Sequence, residues 1–367
     1  MSIAAQPRVF ALVAAGGTGG HVYPGIAVAD ALAEIGHPQS SIRFVTESRP
    51  VTTTAISNAG YAYDVLALQR GLQRRLTVAN VVVLAQFLKS LTQSVRIVRR
   101  YQPEVVVGFG AYVTLPLILA ARLLRIPVLV HEQNGYPGLA NRIAVALGAN
   151  AAVSVEGTKL ARASMTGNPV RPDIASVVRS PQSPPLIAFV GGSLGAAVLD
   201  TVALDLFDRW RSRDDVQIRH VSGQRSFAKC AATLDGLRRD GDRLHFELVA
   251  YEHDMACLYK RAALMVTRSG GSVAELAAAA MPAILVPWSG ATEHHQHTNA
   301  EALARDGAAV VVDETHCDGA TLSTLIDSLL ADEARLTAMS VAAHGMARPD
   351  AAVRVARLCE SIAKPRL

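Results

Sequence analysis

The sequence predicts an α/β protein made of two doubly wound, parallel-sheet domains. Short apolar runs alternate with helical patterns along most of its 367 residues, the rhythm of a parallel sheet covered on both faces. That length suits two domains of about 100 to 200 residues each. The rhythm also breaks once. Five prolines between Pro169 and Pro185 can continue neither a helix nor a central strand, so they mark a linker.

The elements follow in order. Val, Leu and Ala predict a first strand over 9–15, then a Gly-rich turn over 16–20 and a helix over about 25–35. Further strands are expected over 42–45, 105–108, 128–131 and 151–155. After residue 180 the pattern restarts, with strands over 186–190, 218–222, 246–250, 264–267, 284–287 and 310–313. Each half opens with a strand, a Gly-rich loop and a helix: GGTGGH (16–21) and GGSLGA (191–196). Two Rossmann-like domains facing a cleft are the expected outcome.

Composition narrows the function. Half of the residues are apolar and 18% are charged, so the chain can bury large cores. Lys and Arg outnumber Asp and Glu by 36 to 31, a net +5, which favours an acidic partner such as phosphate, anionic lipid or nucleic acid. Cys230, Cys257, Cys317 and Cys359 form no CxxC pair. A disulfide framework and a structural zinc are therefore not expected, and a reducing cytoplasm fits. The longest uncharged stretch, 105–121, contains Gly108, Gly110, Thr114 and Pro116. It falls short of the roughly 20 apolar residues of a membrane span and reads as a strand followed by a helix. The N-terminal segment lacks the basic start and cleavage site of a signal peptide.

The two Gly-rich loops are candidate phosphate cradles, because backbone N–H groups and a helix N-terminus meet there. A tight turn without a ligand is the plain alternative for either loop alone. Neither fits GxGxxG or ends in GK[ST], so a dinucleotide oxidoreductase and an ATPase are disfavoured readings. His21 closes the first loop at a strand's carboxyl end, where its imidazole could take a proton from a substrate hydroxyl. A helix-capping histidine is the structural alternative. HEQNGYPGLANR (131–142) places polar residues directly after a buried strand, which packing does not require. In RSGGSVAE (268–275), Glu275 falls in the first turn of a helix. It could accept hydrogen bonds from a ribose diol or simply offset the helix dipole. His294, His295 and His297 lack the spacing of a zinc motif, so no metal is expected. The acidic pair of DGD (240–242) resembles one that holds a metal in some sugar transferases, but in turn-rich sequence it reads as a solvated turn.

Residues 65–103 contain seven Lys or Arg and no Asp or Glu. Leu84, Phe87, Leu88, Leu91, Val95 and Val98 recur there at helical spacing, opposite Lys89, Arg96 and Arg100. This pattern predicts an apolar stripe packed on a sheet. Arg70, Arg74 and Arg75 stand beside Leu72 and Leu76 in the preceding loop, a combination suited to an anionic membrane surface. No nucleic-acid motif accompanies them.

Six segments, GGTGGHVYPGIAVADAL, HEQNGYPGLANR, GNPVR, GGSLGA, RSGGSVAELAAAAMPAILVP and HHQHTNA, occur in that order. Together they resemble the signatures of the MurG family, the peripheral-membrane N-acetylglucosaminyltransferases of peptidoglycan synthesis. The resemblance spans nearly the whole chain and implies a GT-B fold. It implies an N-terminal acceptor- and membrane-facing domain over 1–171, with a C-terminal helix within 345–367 packing back on it. It implies a UDP-sugar-binding domain over 172–344. The implied reaction is inverting transfer of N-acetylglucosamine from UDP-N-acetylglucosamine to undecaprenyl-diphospho-muramoyl-pentapeptide (lipid I), giving lipid II and UDP without a cofactor. The implied place is the cytoplasmic face of the bacterial inner membrane, with an anionic lipid surface and other cell-wall synthesis proteins as partners.

By motif position, the resemblance implies that Thr18, Gly19 and Gly20 face the transferred sugar and diphosphate. Asn134, Arg171 and Ser193 would contact the donor, Glu275 the ribose, and Gln296 with Asn299 the sugar. Tyr112 matches an acceptor-side tyrosine. His21 is the favoured base, with Glu132 the second candidate. Three segments depart from the family pattern. RSGGSVAE is one residue short at Gly271 and Ser272, of which Ser272 is the substrate-binding candidate. YEHDM has Glu252 at an apolar position whose backbone would hold the uracil. GAYVTLP has Ala111 and Leu115 in place of glycines.

Overall fold

The computed structural model describes residues 9–67, 78–192, 195–291 and 295–364. Among them the chain forms two compact units. The first runs to Arg171 and resumes at Arg348; the second is Pro172–Ala347.

The first unit is a seven-stranded parallel sheet. Its strands are β1 (Ala11–Ala14), β2 (Ile42–Thr46), β3 (Ala62–Val65), β4 (Val105–Gly108), β5 (Val128–Glu132), β6 (Asn150–Val153) and β7 (Ala163–Met165). Their order across the sheet is β3-β2-β1-β4-β5-β6-β7. Ala11 lies level with Ile42 on one side and Val105 on the other. β1 and β4 are apolar along their length, and β5 up to Val130, because these strands are buried on both faces; β5 ends in buried His131 and Glu132. β3 and β7 were not expected from the sequence. They are edge strands: β3 carries Asp64, which pairs with Arg43 at 2.5 Å, and all of β7 is exposed. Without two buried faces, neither has an apolar signal.

Two expectations about helices need correction. The first helix begins at Gly19, not near residue 25, and runs Gly19–Glu34. Gly25 lies inside it, where an added Cβ would sit 3.2 Å from the Ala15 Cβ and 3.4 Å from Phe109. The helix packs too closely on the sheet there for a larger residue. The helix Val78–Tyr101 buries only the later half of its apolar stripe. Val98 and Tyr101 are buried, whereas Leu84 and Leu88 are 54% and 55% exposed. Its 24 residues span about 36 Å at 1.5 Å per residue. Strands of four or five residues cover less than half of that length, at about 3.3 Å per residue. The element that the long helix packs against is the helix Thr114–Leu123, of only 10 residues, so its first half extends past its support.

A last helix, Ala351–Ile362, returns to the first unit and lies against Gly19–Glu34. It buries Val355, Ala356 and Cys359 completely. A His37 Nε2–Glu360 Oε1 contact at 3.0 Å and a hydrogen bond from Lys364 N–H to Glu104 O fix its C-terminal end.

The second unit repeats the plan with β8 (Leu186–Val190), β9 (Gln217–Val221), β10 (His245–Val249), β11 (Ala262–Thr267), β12 (Ala283–Leu285) and β13 (Ala309–Val311). All neighbours are parallel, in the order β10-β9-β8-β11-β12-β13. In both units the first strand lies beside the second on one side and the fourth on the other. That is the topological switch point, and the crevice beyond its carboxyl ends is where open α/β sheets bind ligands.

Candidate active site

In the first unit, the switch point brings the loop after β1 against the loop after β4. Gly17 has φ +86°, a left-handed conformation that suits glycine. Thr18 then caps the helix Gly19–Glu34 from extended backbone. Thr18 O accepts the His21 N–H at 3.1 Å, and Thr18 Oγ1 lies 3.2 Å from His21 Nδ1. From the other loop, Gly110 packs on the same imidazole: a Cβ there would lie 3.1 Å from His21 Cδ2. Tyr112, two residues on, is half exposed. Thr18, Gly19, Gly20, His21 and Tyr112 thus share one end of the sheet.

The loop after β5 joins this group through Gln133, whose side chain would meet a Cβ on Gly20 at 3.9 Å. Glu132 is buried and organises the loop. Oε1 accepts from Asn134 N–H at 3.1 Å and Asn134 Nδ2 at 3.2 Å; Oε2 accepts from Gly138 N–H at 2.9 Å and Asn141 Nδ2 at 2.8 Å. Asn141 Nδ2 also reaches His131 O. His131 Nε2 lies 3.1 Å from both Gly167 O and Ser154 Oγ. Complete burial pushes its pKa down to about 4, so the ring is neutral at physiological pH. Arg171 stacks its guanidinium over the Tyr23 ring at 4.7 Å.

In the second unit, Gly195 after β8 is closely packed. A Cβ on Gly195, at φ +77°, would lie 2.4 Å from Ser222 O. The helix Ala197–Trp210 follows directly. Ser193 lies outside the described residues. After β11, Arg268 donates to Val286 O at 3.0 Å and ion-pairs with Glu314. Ser272 Oγ donates to Arg268 O at 3.3 Å. Gln296 and Asn299 stand on the helix His295–Arg305. Gln296 Oε1 accepts from Trp288 N–H at 2.9 Å, and buried Asn299 donates to Ser269 O at 3.1 Å. Both residues therefore meet the loops that follow β11 and β12. Glu275 falls in the first turn of the helix Val273–Ala278, and the Tyr259 hydroxyl donates to its Oε2 at 3.1 Å.

Glu252 follows β10. Its side chain pairs with Arg219 at 2.7 Å, and its Oε1 accepts from Asp254 N–H at 3.1 Å. The basic loop residues Arg70, Leu72, Arg74, Arg75 and Leu76 lie outside the described residues. Among the described residues no three His, Cys, Asp or Glu side chains converge as a metal site. None of their helices is long and apolar enough to cross a membrane.

Sequence reasoning passed over Glu47, Arg49, Tyr23, Asn141 and Tyr259. Glu47 and Arg49 carried the usable signal, a polar run directly after the apolar β2.

The sequence matches the N-terminal domain of glycosyltransferase family 28 over residues 11–153 and its C-terminal domain over 186–355. Two relatives are each named UDP-N-acetylglucosamine--N-acetylmuramyl-(pentapeptide) pyrophosphoryl-undecaprenol N-acetylglucosamine transferase. The one from Halorhodospira halophila is 37% identical, covering 96% of this chain and 98% of the relative. The one from Desulforudis audaxviator is 34% identical, again covering 96% and 98%. The chain belongs to the MurG family of glycosyltransferases. The crystal structure of Acinetobacter baumannii MurG agrees, with a TM-score of 0.75 at 28% identity over 97% of this chain and 100% of that one. Two parallel-sheet units of matching strand order, in a member of this family, give the GT-B fold class that the motifs implied.

Proposed function

We propose that the chain transfers N-acetylglucosamine from UDP-N-acetylglucosamine to lipid I, with inversion, forming lipid II and UDP for peptidoglycan synthesis. The observation that carries this reading is full-length similarity to transferases of that name. Support comes from His21, Tyr112, Asn134 and Glu275, which lie in the segments after β1, β4, β5 and β11, at the sheet end where such folds bind ligands.

In one displacement, the acceptor hydroxyl oxygen bonds to the anomeric carbon as the bond from that carbon to the diphosphate breaks. The hydroxyl proton goes to His21, and the electron pair leaves on UDP. His21 suits the base role better than Glu132, whose two oxygens already accept four loop hydrogen bonds. Thr18, Gly19 and Gly20 offer a helix N-terminus to the sugar and diphosphate. Asn134, Arg171 and Ser193 hold the donor, Glu275 the ribose, and Gln296 with Asn299 the sugar. The backbone at Glu252 holds the uracil, Ser272 closes the shortened loop, and Tyr112 meets the acceptor. The acceptor's polyprenyl chain stays in the bilayer, so the enzyme docks peripherally on the cytoplasmic face of the inner membrane. Exposed Leu84 and Leu88, with the basic stretch before them, support that surface.

The test is lipid II formation, and release of UDP that depends on lipid I, by the purified chain. In the same assay His21→Ala should lower kcat by about 10²–10⁴-fold, the range of general acid–base contributions. UDP affinity should be retained. An absence of lipid I-dependent transfer by the wild type would overturn the function; wild-type turnover by the variant would dismiss His21.

A further inference from the structure

We infer that Glu47 and Arg49 are positioning residues for proton transfer at His21, holding the Gly17 backbone from both sides. The inference rests on the function proposed above. β2 runs parallel to β1, with Ala14 level with Val45, so the turn after β2 lies beside the Gly-rich loop. Glu47 is 3% exposed, and its Oε1 accepts the Gly17 N–H at 2.6 Å. The same oxygen accepts from Thr52 Oγ1 at 3.3 Å. Arg49 Nη1 donates to Gly17 O at 2.7 Å. Both polar groups of one residue are thus held by charged side chains, the stronger kind of hydrogen bond.

The clamp acts where the chain is least able to hold itself. Four of the five residues in 16–20 are glycine, and such a run has many backbone conformations open to it. Contact is close enough that a Cβ on Gly16 would lie 2.0 Å from Glu47 Oε2. Gly17 then leads straight to the imidazole. Thr18 bonds His21 through both its carbonyl and its hydroxyl, and a Cβ on Gly17 would lie 3.9 Å from His21 Nδ1. Moving the Gly17 peptide moves the base.

Glu47 Oε2 is buried without a hydrogen-bond partner among the described residues. A carboxylate with an unsatisfied buried oxygen is a poor stabiliser. Its contribution therefore lies in placing Gly17.

Three variants test the inference: Glu47→Ala, Glu47→Gln, and Arg49→Ala at a half-exposed position that leaves no buried cavity. Glu47→Ala should reduce kcat by about 10- to 100-fold, the penalty of slight misplacement at a reacting centre. UDP affinity should stay within about threefold of wild type, since only the chemical step has lost stabilisation. Glu47→Gln keeps an acceptor for the Gly17 N–H and should regain most of the rate. Arg49→Ala should slow kcat several-fold. Hydrogen exchange of the peptide carrying Gly17 should quicken in both alanine variants, with peptides of the second unit unchanged. Wild-type kcat in both alanine variants would overturn the inference, as would a loss that Glu47→Gln does not repair or Gly17 exchange at the wild-type rate. Wild-type protein that makes no lipid II would sink the functional reading instead, while exchange at Gly17 would still report on the clamp.

Discussion

Tyr259 is fully buried, yet its hydroxyl reaches Glu275 and fixes one carboxylate oxygen. A carboxylate anchored at one oxygen has a set direction for the other, which suits recognition of a diol. If Glu275 holds the ribose, Glu275→Ala should weaken UDP binding by about 10- to 100-fold, the equivalent of a hydrogen bond to a charged group. The variant should also bind uridine hardly better than 2′-deoxyuridine. Wild-type discrimination between the two in a competition assay would place the ribose elsewhere. Glu275 and His21 stand out in the sequence as candidates because each follows a strand-and-glycine pattern. Tyr259 and Asn141 were not, since each works by meeting a residue brought near by folding. Glu47 lies between these cases: its polar run after β2 was visible, but its partner, Gly17, is 30 positions away.

Secondary-structure elements were readable in proportion to their burial. The apolar strands β1, β4, β5, β8 and β11 announce themselves, while the edge strands β3 and β7 do not. The helix Val78–Tyr101 was legible as a helix, but its environment was not. Periodicity reveals an apolar stripe without saying which element lies beneath it or how far that element extends. Leu84 and Leu88, one turn apart and both exposed, lie on the part that overhangs. Changing both to serine should weaken binding to anionic vesicles by at least about tenfold, since burying one leucine is worth roughly 1.5–3 kcal/mol. Charge reversal at Arg70, Arg74 and Arg75 should add to the loss, at about 1 kcal/mol per basic residue, and salt should weaken binding likewise. Transfer to a short-chain, water-soluble acceptor should survive these changes. Unaltered vesicle binding would leave the two leucines as ordinary surface.

For the molecule as a whole, the proline-rich linker and the restart of the strand pattern make the twofold plan legible in the sequence. The return of the last helix to the first unit came from family resemblance alone, because an amphipathic helix does not name its partner. Stability against pH belongs to this scale too. His131 ties β5 to the turn at Gly167, and its pKa falls from 6.5 to about 4 on folding. Between those values the unfolded chain binds a proton that the folded chain refuses. The first unit should therefore lose stability as pH falls from 6.5 towards 4, by roughly 3 kcal/mol from this group. His131→Gln should flatten that part of the unfolding midpoint's pH profile; an unchanged slope would mean that His131 titrates alike in both states.

The returning helix Ala351–Ile362 bears on how the chain is made. On the ribosome, residues 9–171 emerge long before this segment, and all of the second unit is synthesised in between. Until then the apolar face of Gly19–Glu34 that receives Val355, Ala356 and Cys359 has no cover. The nascent first unit therefore exposes that apolar face, on the helix that bears His21, until the last helix arrives.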